Sequence, residues 1–227
     1  MRIDTKPKNL HYDVVIVGGA IMGSSVAWFL TDNPDFDGSV LVVEKDPSYQ
    51  WCSTAHTNSC MRQQFSTELN VKISQFAADF VNNLRDYLGG DQRVPELKVQ
   101  SFGYMYLADT QSFANDLRQS VAVQQAAGSA TQFLSAVDIA RDYPFYNVED
   151  ILAGSINLVN EGYFDGATVF DWWRRQAIER GVEYVTNEVV SMQTAASGDR
   201  IELVTLASGE RISCGPAVDP GGGAQHR

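Results

Sequence analysis

The stretch "YDVVIVGGAIMGSSVAWFL", Tyr12 to Leu30, decides how the rest of the chain is read. Val14 to Val17 is a continuous apolar run closed by Gly18, the pattern of a strand buried on both faces. From Ala20 to Leu30 the apolar spacing becomes helical. Between them lies a glycine-rich turn, with Gly18, Ala20 and Gly23 at the three glycine positions of a G-x-G-x-x-G pattern. The first glycine of such a turn permits the sharp exit from the strand. The second lets the backbone approach a pyrophosphate, and the third lets helix and strand pack closely. The pyrophosphate rests on the helix N-terminus, whose unpaired N–H groups and dipole attract anions. Ala20 adds one methyl at the middle position, and Gly19 beside it leaves the loop room to adjust.

"TDNPDFDG" (Thr31 to Gly38) is a loop by composition, and "SVLVVE" (Ser39 to Glu44) is a second buried strand. Strand, turn, helix and strand in this order make a βαβ unit, which builds a parallel sheet with a right-handed crossover. Glu44 lies at the end of the second strand, 21 residues past Gly23. There the dinucleotide fingerprint expects a carboxylate that accepts the ribose hydroxyls. A carboxylate at that point would repel a 2′-phosphate and so disfavours NADP. It leaves NAD and FAD both open.

The chain has 227 residues, 44% hydrophobic and 11% aromatic, and a net charge of −11. That charge argues against a nucleic-acid partner. No apolar run reaches the roughly 18 residues of a membrane span. The opening "MRIDTKPKNLHYD" has no apolar h-region. Cys52, Cys60 and Cys214 are odd in number and have no metal-ligand spacing. Reduced thiols and a cytoplasmic location are expected.

Beyond Glu44, Lys45 to Phe65 shows no period, and long irregular stretches inside compact domains are often functional. A helix capped by Ser66 or Thr67 follows, with Leu69, Ile73, Phe76, Phe80, Leu84 and Leu88 on one stripe. A strand is expected in "SFGYMYLAD", a helix over Gln111 to Ala127, and a short strand in "TQFLS". A short helix capped by Ser135 comes next, then a strand over Ile151 to Val159. A helix over Thr168 to Arg180 leads into three or four strands, and the tail ends without an element. The expected fold class is α/β: a Rossmann-like βαβ domain interleaved with a partial mixed or antiparallel α+β substrate domain. The boundaries are 10–100 and 160–215 for the nucleotide-binding domain, 101–159 for the substrate domain, and 216–227 for an irregular tail.

The run "VLVVEKDPSYQWCSTAHTNSCMRQQFSTELNVKIS" resembles the D-amino acid oxidase family of FAD-dependent oxidoreductases, in its sarcosine oxidase-like branch. The resemblance continues through "SFGYMYLAD" and "NEGYFDGATVFDWWRRQAIERGVEYVTNEVV", from about Tyr12 to Cys214. It implies noncovalent FAD in an extended pose. Gly18, Gly19, Ala20 and Gly23 would meet the pyrophosphate, and Glu44 the adenosine ribose with Lys45 beside it. Ser53, Thr54, Thr57, Asn58, Ser59 and Cys60 would run under the flavin, and the backbone of Val189 would meet the adenine. Arg62 falls where the branch holds a substrate carboxylate, and a planar guanidinium suits that task as a bidentate clamp. Phe102, Tyr104, Tyr106, Tyr163 and Phe164 are read either as pocket lining or as core.

The implied activity is oxidation of the C–N bond of an amino acid or N-methyl amino acid, with hydride passing to the flavin. The substrate is a small molecule, and the electron acceptor is not specified. Family members carry a "V-V-N-A-A-G" type segment after the strand matching "RISCG", where this chain has "PAVDPGGGAQHR". The chain therefore reads as C-terminally truncated, with a missing C-terminal half or a partner subunit expected. Two other readings stand beside this one. One is an NAD-linked Rossmann dehydrogenase. The other is a non-catalytic product, an inactive FAD-binding fragment or an assembly protein.

Overall fold

The computed structural model describes residues 4–220. Two compact units divide the chain, one made of the segments through Thr57 and from Gly166 onward, the other of Asn58–Asp165. The contact boundaries thus lie at 57/58 and 165/166, whereas the functional boundaries read from the sequence lie at 100/101 and 159/160.

The first unit opens with β1 (His11–Tyr12) and β2 (Val14–Val17). The Asp13 carboxylate between them accepts bonds from the Ser39 amide (2.6 Å) and hydroxyl (2.8 Å), which ties the start of β2 to the next strand. These bonds hold the Asp13 carboxyl below the usual carboxylate range. α1 (Ile21–Asp32) and β3 (Val40–Glu44) complete the expected βαβ opening.

The second unit contains β4 (Cys60–Met61), a short strand inside the stretch that showed no period. Next come α2 (Glu68–Asn82) and α3 (Leu84–Tyr87). The predicted stripe divides here. Phe80, Leu84 and Leu88 are buried, but Leu69, Ile73 and Phe76 are 69%, 55% and 49% exposed. α2 instead buries Val71, Ala78, Phe80 and Val81. Val71 lies two residues from Leu69, about 200° around a helix. The axis breaks at Asn83, so Leu84 and Leu88 belong to a different element from Leu69.

β5 (Tyr104–Ala108), α4 (Gln111–Ala126) and β6 (Gln132–Ser135) follow. α5 (Ala136–Asp142) is capped by the expected Ser135, and Asp138 completes a capping box with it. β7 (Ala153–Asn157) is shorter than the expected 151–159, and β8 (Gly162–Tyr163) ends the unit's strands. The sheet order is β5-β7-β6, all antiparallel, and β4 pairs separately with β8. One face of the sheet lays Ala108 and Ala153, with Tyr106 and Phe133, against Ala114 and Leu117 of α4.

The chain then returns to the first unit with α6 (Gly166–Glu179), β9 (Glu183–Thr186), β10 (Val189–Thr194), β11 (Ile201–Leu206) and β12 (Arg211–Cys214). The final strand, β13 (Ala217–Val218), falls in the region expected to be an irregular tail. It pairs parallel with β2, Ala217 against Val15 and Val218 against Ile16. The free edge of β2 supplies the hydrogen bonds that the Gly- and Pro-rich composition of this region does not advertise. Residues 221–227 lie outside the described residues.

Two sheets result. β13-β2-β3-β9 is wholly parallel, and β10-β11-β12 is an antiparallel meander with β1 added parallel to β12. Val15, Leu41, Val43 and Val185 of the first pack against Val204, Leu206 and Ile212 of the second. The next residue along each parallel strand points the other way, toward α1 and α6. Those helices are joined by the Trp28 indole N–H donating to Gln176 (2.9 Å) and by an Arg180–Asp32 ion pair (2.8 Å). The helices are thus on one face of the parallel sheet and the meander on the other.

The second unit holds a fully buried carboxylate, Glu161. Its Oε1 accepts from the Gln63 amide (2.6 Å) and Asn157 Nδ2 (3.1 Å), and its Oε2 from Gln64 Nε2 (2.9 Å). Gln64 in turn donates to the Tyr104 carbonyl and accepts from the Ser155 hydroxyl. Asn157 also donates to the Ser129 hydroxyl. Burial raises the Glu161 carboxyl above its ordinary value of 4.5, against the opposing pull of these bonds and of Arg62. A carboxyl with a raised folded value contributes stability that is complete below about pH 4.5 and is lost as pH rises through the raised value. Urea denaturation of wild type and Glu161→Gln across pH 4 to about 8 should therefore show the wild type losing stability relative to the variant as pH rises. A constant difference, or one of opposite slope, would refute the raised value.

Candidate nucleotide turn and carboxylate site

The turn after β2 is shaped by two contacts. Gly18 has φ +94°, a left-handed conformation open to glycine, and its N–H donates to the Val43 carbonyl (2.8 Å). A Cβ on Gly23 would lie 1.9 Å from the Gly18 carbonyl oxygen, so α1 can leave the strand at this angle only with glycine there. Ala20 is the N-cap of α1 in an extended conformation, where its methyl is half-buried and accommodated. The first turn of α1 carries no acidic residue. Of its amides, Ile21 N–H donates to the Thr54 hydroxyl (3.2 Å), which brings one of the expected loop residues to the helix N-terminus.

Glu44 closes the turn from the side. Its Oε2 accepts from the Gly19 amide (2.7 Å) and its Oε1 from the Asp46 amide (2.8 Å). A carboxylate oxygen has more than one acceptor direction, so each retains capacity for a ribose hydroxyl. Lys45 beside it is exposed. Val189 starts β10 two residues after Asn187, whose amide donates to the Glu44 carbonyl (3.0 Å). The Val189 backbone therefore emerges next to the end of β3.

Further residues of this unit, without a signal in the sequence pattern, pack at or near the turn. Ser24, buried, donates to the Gly19 carbonyl (2.7 Å) and shares a hydrogen bond with Tyr184 (3.1 Å). Tyr49 is buried with φ +56°, and Arg174 stands 5.6 Å from its ring centre. Burial pushes the Tyr49 phenol up beyond its ordinary range. Tyr184 sits on a predicted strand, where its period-2 position showed only that it faces one side.

The run expected under a flavin is divided by the unit boundary. Ser53 and Thr57, both exposed, and Thr54 belong to the first unit, and the Ser53 carbonyl accepts from the His56 amide (3.2 Å). His56 Nε2 lies 2.9 Å from the Gln50 carbonyl. Asn58, Ser59, Cys60 and Arg62 belong to the second. Ser59 has φ +48°, and its carbonyl accepts from the Phe164 amide (3.0 Å).

Arg62 is exposed directly after β4, with its guanidinium 5.6 Å from the Phe65 ring centre. Within its unit no carboxylate forms an ion pair with it. Tyr104 lies near it and hydrogen-bonds Cys60, which together with burial pushes the phenol up to about 12 despite the nearby guanidinium. Of the other aromatics, Tyr106 packs against the α4 cluster, whereas Phe102 and Tyr163 are 66% and 46% exposed. An unpaired guanidinium with phenol and thiol beside it can take a carboxylate.

The first-unit residues fit an ADP-containing dinucleotide. The cradle would be filled by a Cβ at Gly23, the helix N-terminus is free of carboxylates, and Glu44 faces the same turn. Among the described residues no helix is long and apolar enough to cross a membrane. A family model described as DAO, FAD dependent oxidoreductase, matches residues 13–223. FAD-dependent oxidoreductase domain-containing protein 1 of Xenopus laevis is 33% identical over 205 residues, 88% of this chain and 40% of that protein. L-proline dehydrogenase from P. horikoshii has the same fold, with a TM-score of 0.71 at 20% identity over 96% of this chain and 53% of its own. Glycine oxidase from Bacillus cereus gives 0.65 at 20% identity over 92% and 54%. The chain thus spans about 40% of the curated relative and about half of each solved structure. The family match resolves the choice that Glu44 left open in favour of FAD over NAD, and the chain belongs to the DAO family of FAD-dependent oxidoreductases.

Proposed function

We propose that this chain supplies the FAD-binding turn and the substrate-carboxylate clamp of an enzyme that oxidises the C–N bond of an amino acid or N-methyl amino acid. The observation that carries the reading is Arg62: an exposed guanidinium with no ion-pair partner in its unit, beside Tyr104 and Cys60, in a chain of a flavin-dependent family. Two proteins that share the fold are named for proline and glycine, a secondary and a primary amino acid. Both substrates present a carboxylate.

FAD held there would supply a hydride acceptor for the C–H bond beside nitrogen, leaving an imine for water to hydrolyse. The residues of the chain bind and orient. The α1 N-terminus with Gly18, Gly19, Ala20 and Gly23 receives the pyrophosphate, and Glu44 accepts the ribose hydroxyls with Lys45 at its side. In this reading Val189 offers backbone to the adenine, and Ser53, Thr54, Thr57, Asn58, Ser59 and Cys60 form the flavin loop. Arg62 clamps the substrate carboxylate in a bidentate pair, which fixes the C–H bond that must be broken.

The purified chain should be yellow, and denaturation followed by filtration should release the flavin. A colourless chain that fails to take up added FAD would overturn the cofactor-binding role proposed for it. Gly23→Ala should abolish FAD uptake, because its methyl meets the Gly18 carbonyl; uptake at the wild-type level would sink the assignment of this turn. Arg62→Ala should raise KM for the amino acid roughly tenfold to a hundredfold, the worth of a charge-assisted hydrogen bond, with a smaller change in kcat. An unchanged KM removes the clamp.

A further inference from the structure

Glu161 is costly to bury. An apolar residue in its place would leave the Gln63, Gln64 and Asn157 donors unpaired, so its use lies in the donors that it gathers. What its carboxylate does hold is the segment that carries Arg62. Register places the two residues together: Met61 of β4 pairs with Gly162 of β8, so Arg62 and Glu161 are the next positions on the two antiparallel strands. The shortest bond to Glu161, at 2.6 Å, comes from the amide of Gln63, the residue that follows Arg62. The second oxygen holds Gln64, whose Nε2 also donates to the Tyr104 carbonyl and whose Oε1 accepts from Ser155.

The Glu161 side of this arrangement is itself rigid. Gly103 N–H donates to the Glu161 carbonyl (2.9 Å). A Cβ on Gly162, at φ +146°, would lie 2.0 Å from the Gln100 carbonyl oxygen. Asn160, at φ +54°, is held by Asn82 Nδ2 (3.1 Å). Glu161 therefore has a fixed place from which it holds the Gln63 backbone amide and the Gln64 side chain.

We propose that Glu161 is a positioning residue for Arg62: its carboxylate locks the turn from Arg62 to Gln64 and so sets where the guanidinium meets a substrate carboxylate. The inference rests on the clamp role proposed for Arg62. Neutral glutamine cannot substitute. One end of its amide must present N–H groups either to Gln64 Nε2 or to the Gln63 and Asn157 donors, and donor facing donor forces the turn to move. Loss of the negative charge would by itself favour a carboxylate at Arg62. That effect is screened at an exposed guanidinium, whereas misplacement of a clamp by an ångström is severe.

The test is a double-mutant cycle on the FAD-loaded protein, titrated calorimetrically with benzoate as the carboxylate probe. Arg62→Ala is expected to weaken benzoate strongly and Glu161→Gln by about tenfold, within the range found for residues in one network. In the Arg62→Ala background Glu161→Gln should have no further effect, a result that a merely structural role would not produce. Equal weakening in both backgrounds, or none in the wild type, would overturn the positioning role and leave the clamp standing. If Arg62→Ala leaves benzoate binding unchanged, the clamp falls and the inference with it. Should Glu161→Gln fail to fold, Glu161→Asp, which keeps the charge but withdraws it by one methylene, enters the same cycle with the same outcomes expected.

Discussion

The nucleotide-binding unit depends on one close approach, that of Gly23 to the Gly18 carbonyl. With no room for a single carbon between them, α1 starts almost on top of β2 and directs its N-terminal amides into the space above the strand ends. Everything else at the turn follows from that angle. Glu44 reaches across from β3 to the Gly19 amide, Thr54 to the Ile21 amide, and Ser24 turns inward to Gly19 and Tyr184. The tolerance for Ala20 has the same cause. The second position of the turn lies at the helix cap, where Ala20 is half-buried in an extended conformation, while the third lies against backbone.

The candidate carboxylate site is built differently. The first unit keeps its interior apolar between two sheets, with Val15, Leu41, Val185, Val204 and Ile212 almost wholly out of water. The second unit places a carboxylate and several amides in its interior. The network around Glu161 is satisfied donor by donor, and such networks specify one geometry more than they add stability. Arg62 stands at the solvent edge of that network, exposed and without an ion-pair partner in its unit.

The exposed side of α2 shows how pattern and packing separate. Leu69, Ile73 and Phe76 make a regular apolar line, yet the unit buries the opposite side of the same helix through Val71, Ala78 and Val81. Periodicity identifies a helix because both lines share the helical repeat. Which line faces the core depends on the neighbours that the helix meets, α3 and α4 among them.

The sequence by itself determined the βαβ opening, the dinucleotide-binding turn and most element positions, because these depend on local chemistry: apolar runs and alternation in strands, a helix period near 3.6, glycines where a side chain would clash, and Ser135 at a helix start. Glu44 was singled out by its offset from the turn, whereas FAD and Arg62 were implied by the resemblance of the run around Arg62 to a known family. Only the tertiary structure decided that Ala217–Val218 extends the parallel sheet, since a two-residue strand exists through its partner's edge and not through its own composition. Only the tertiary structure brought Glu161 to Gln63 and Gln64, which are nearly a hundred positions away in sequence. A buried carboxylate has no local signature; what defines it is the set of donors that the fold gathers around it.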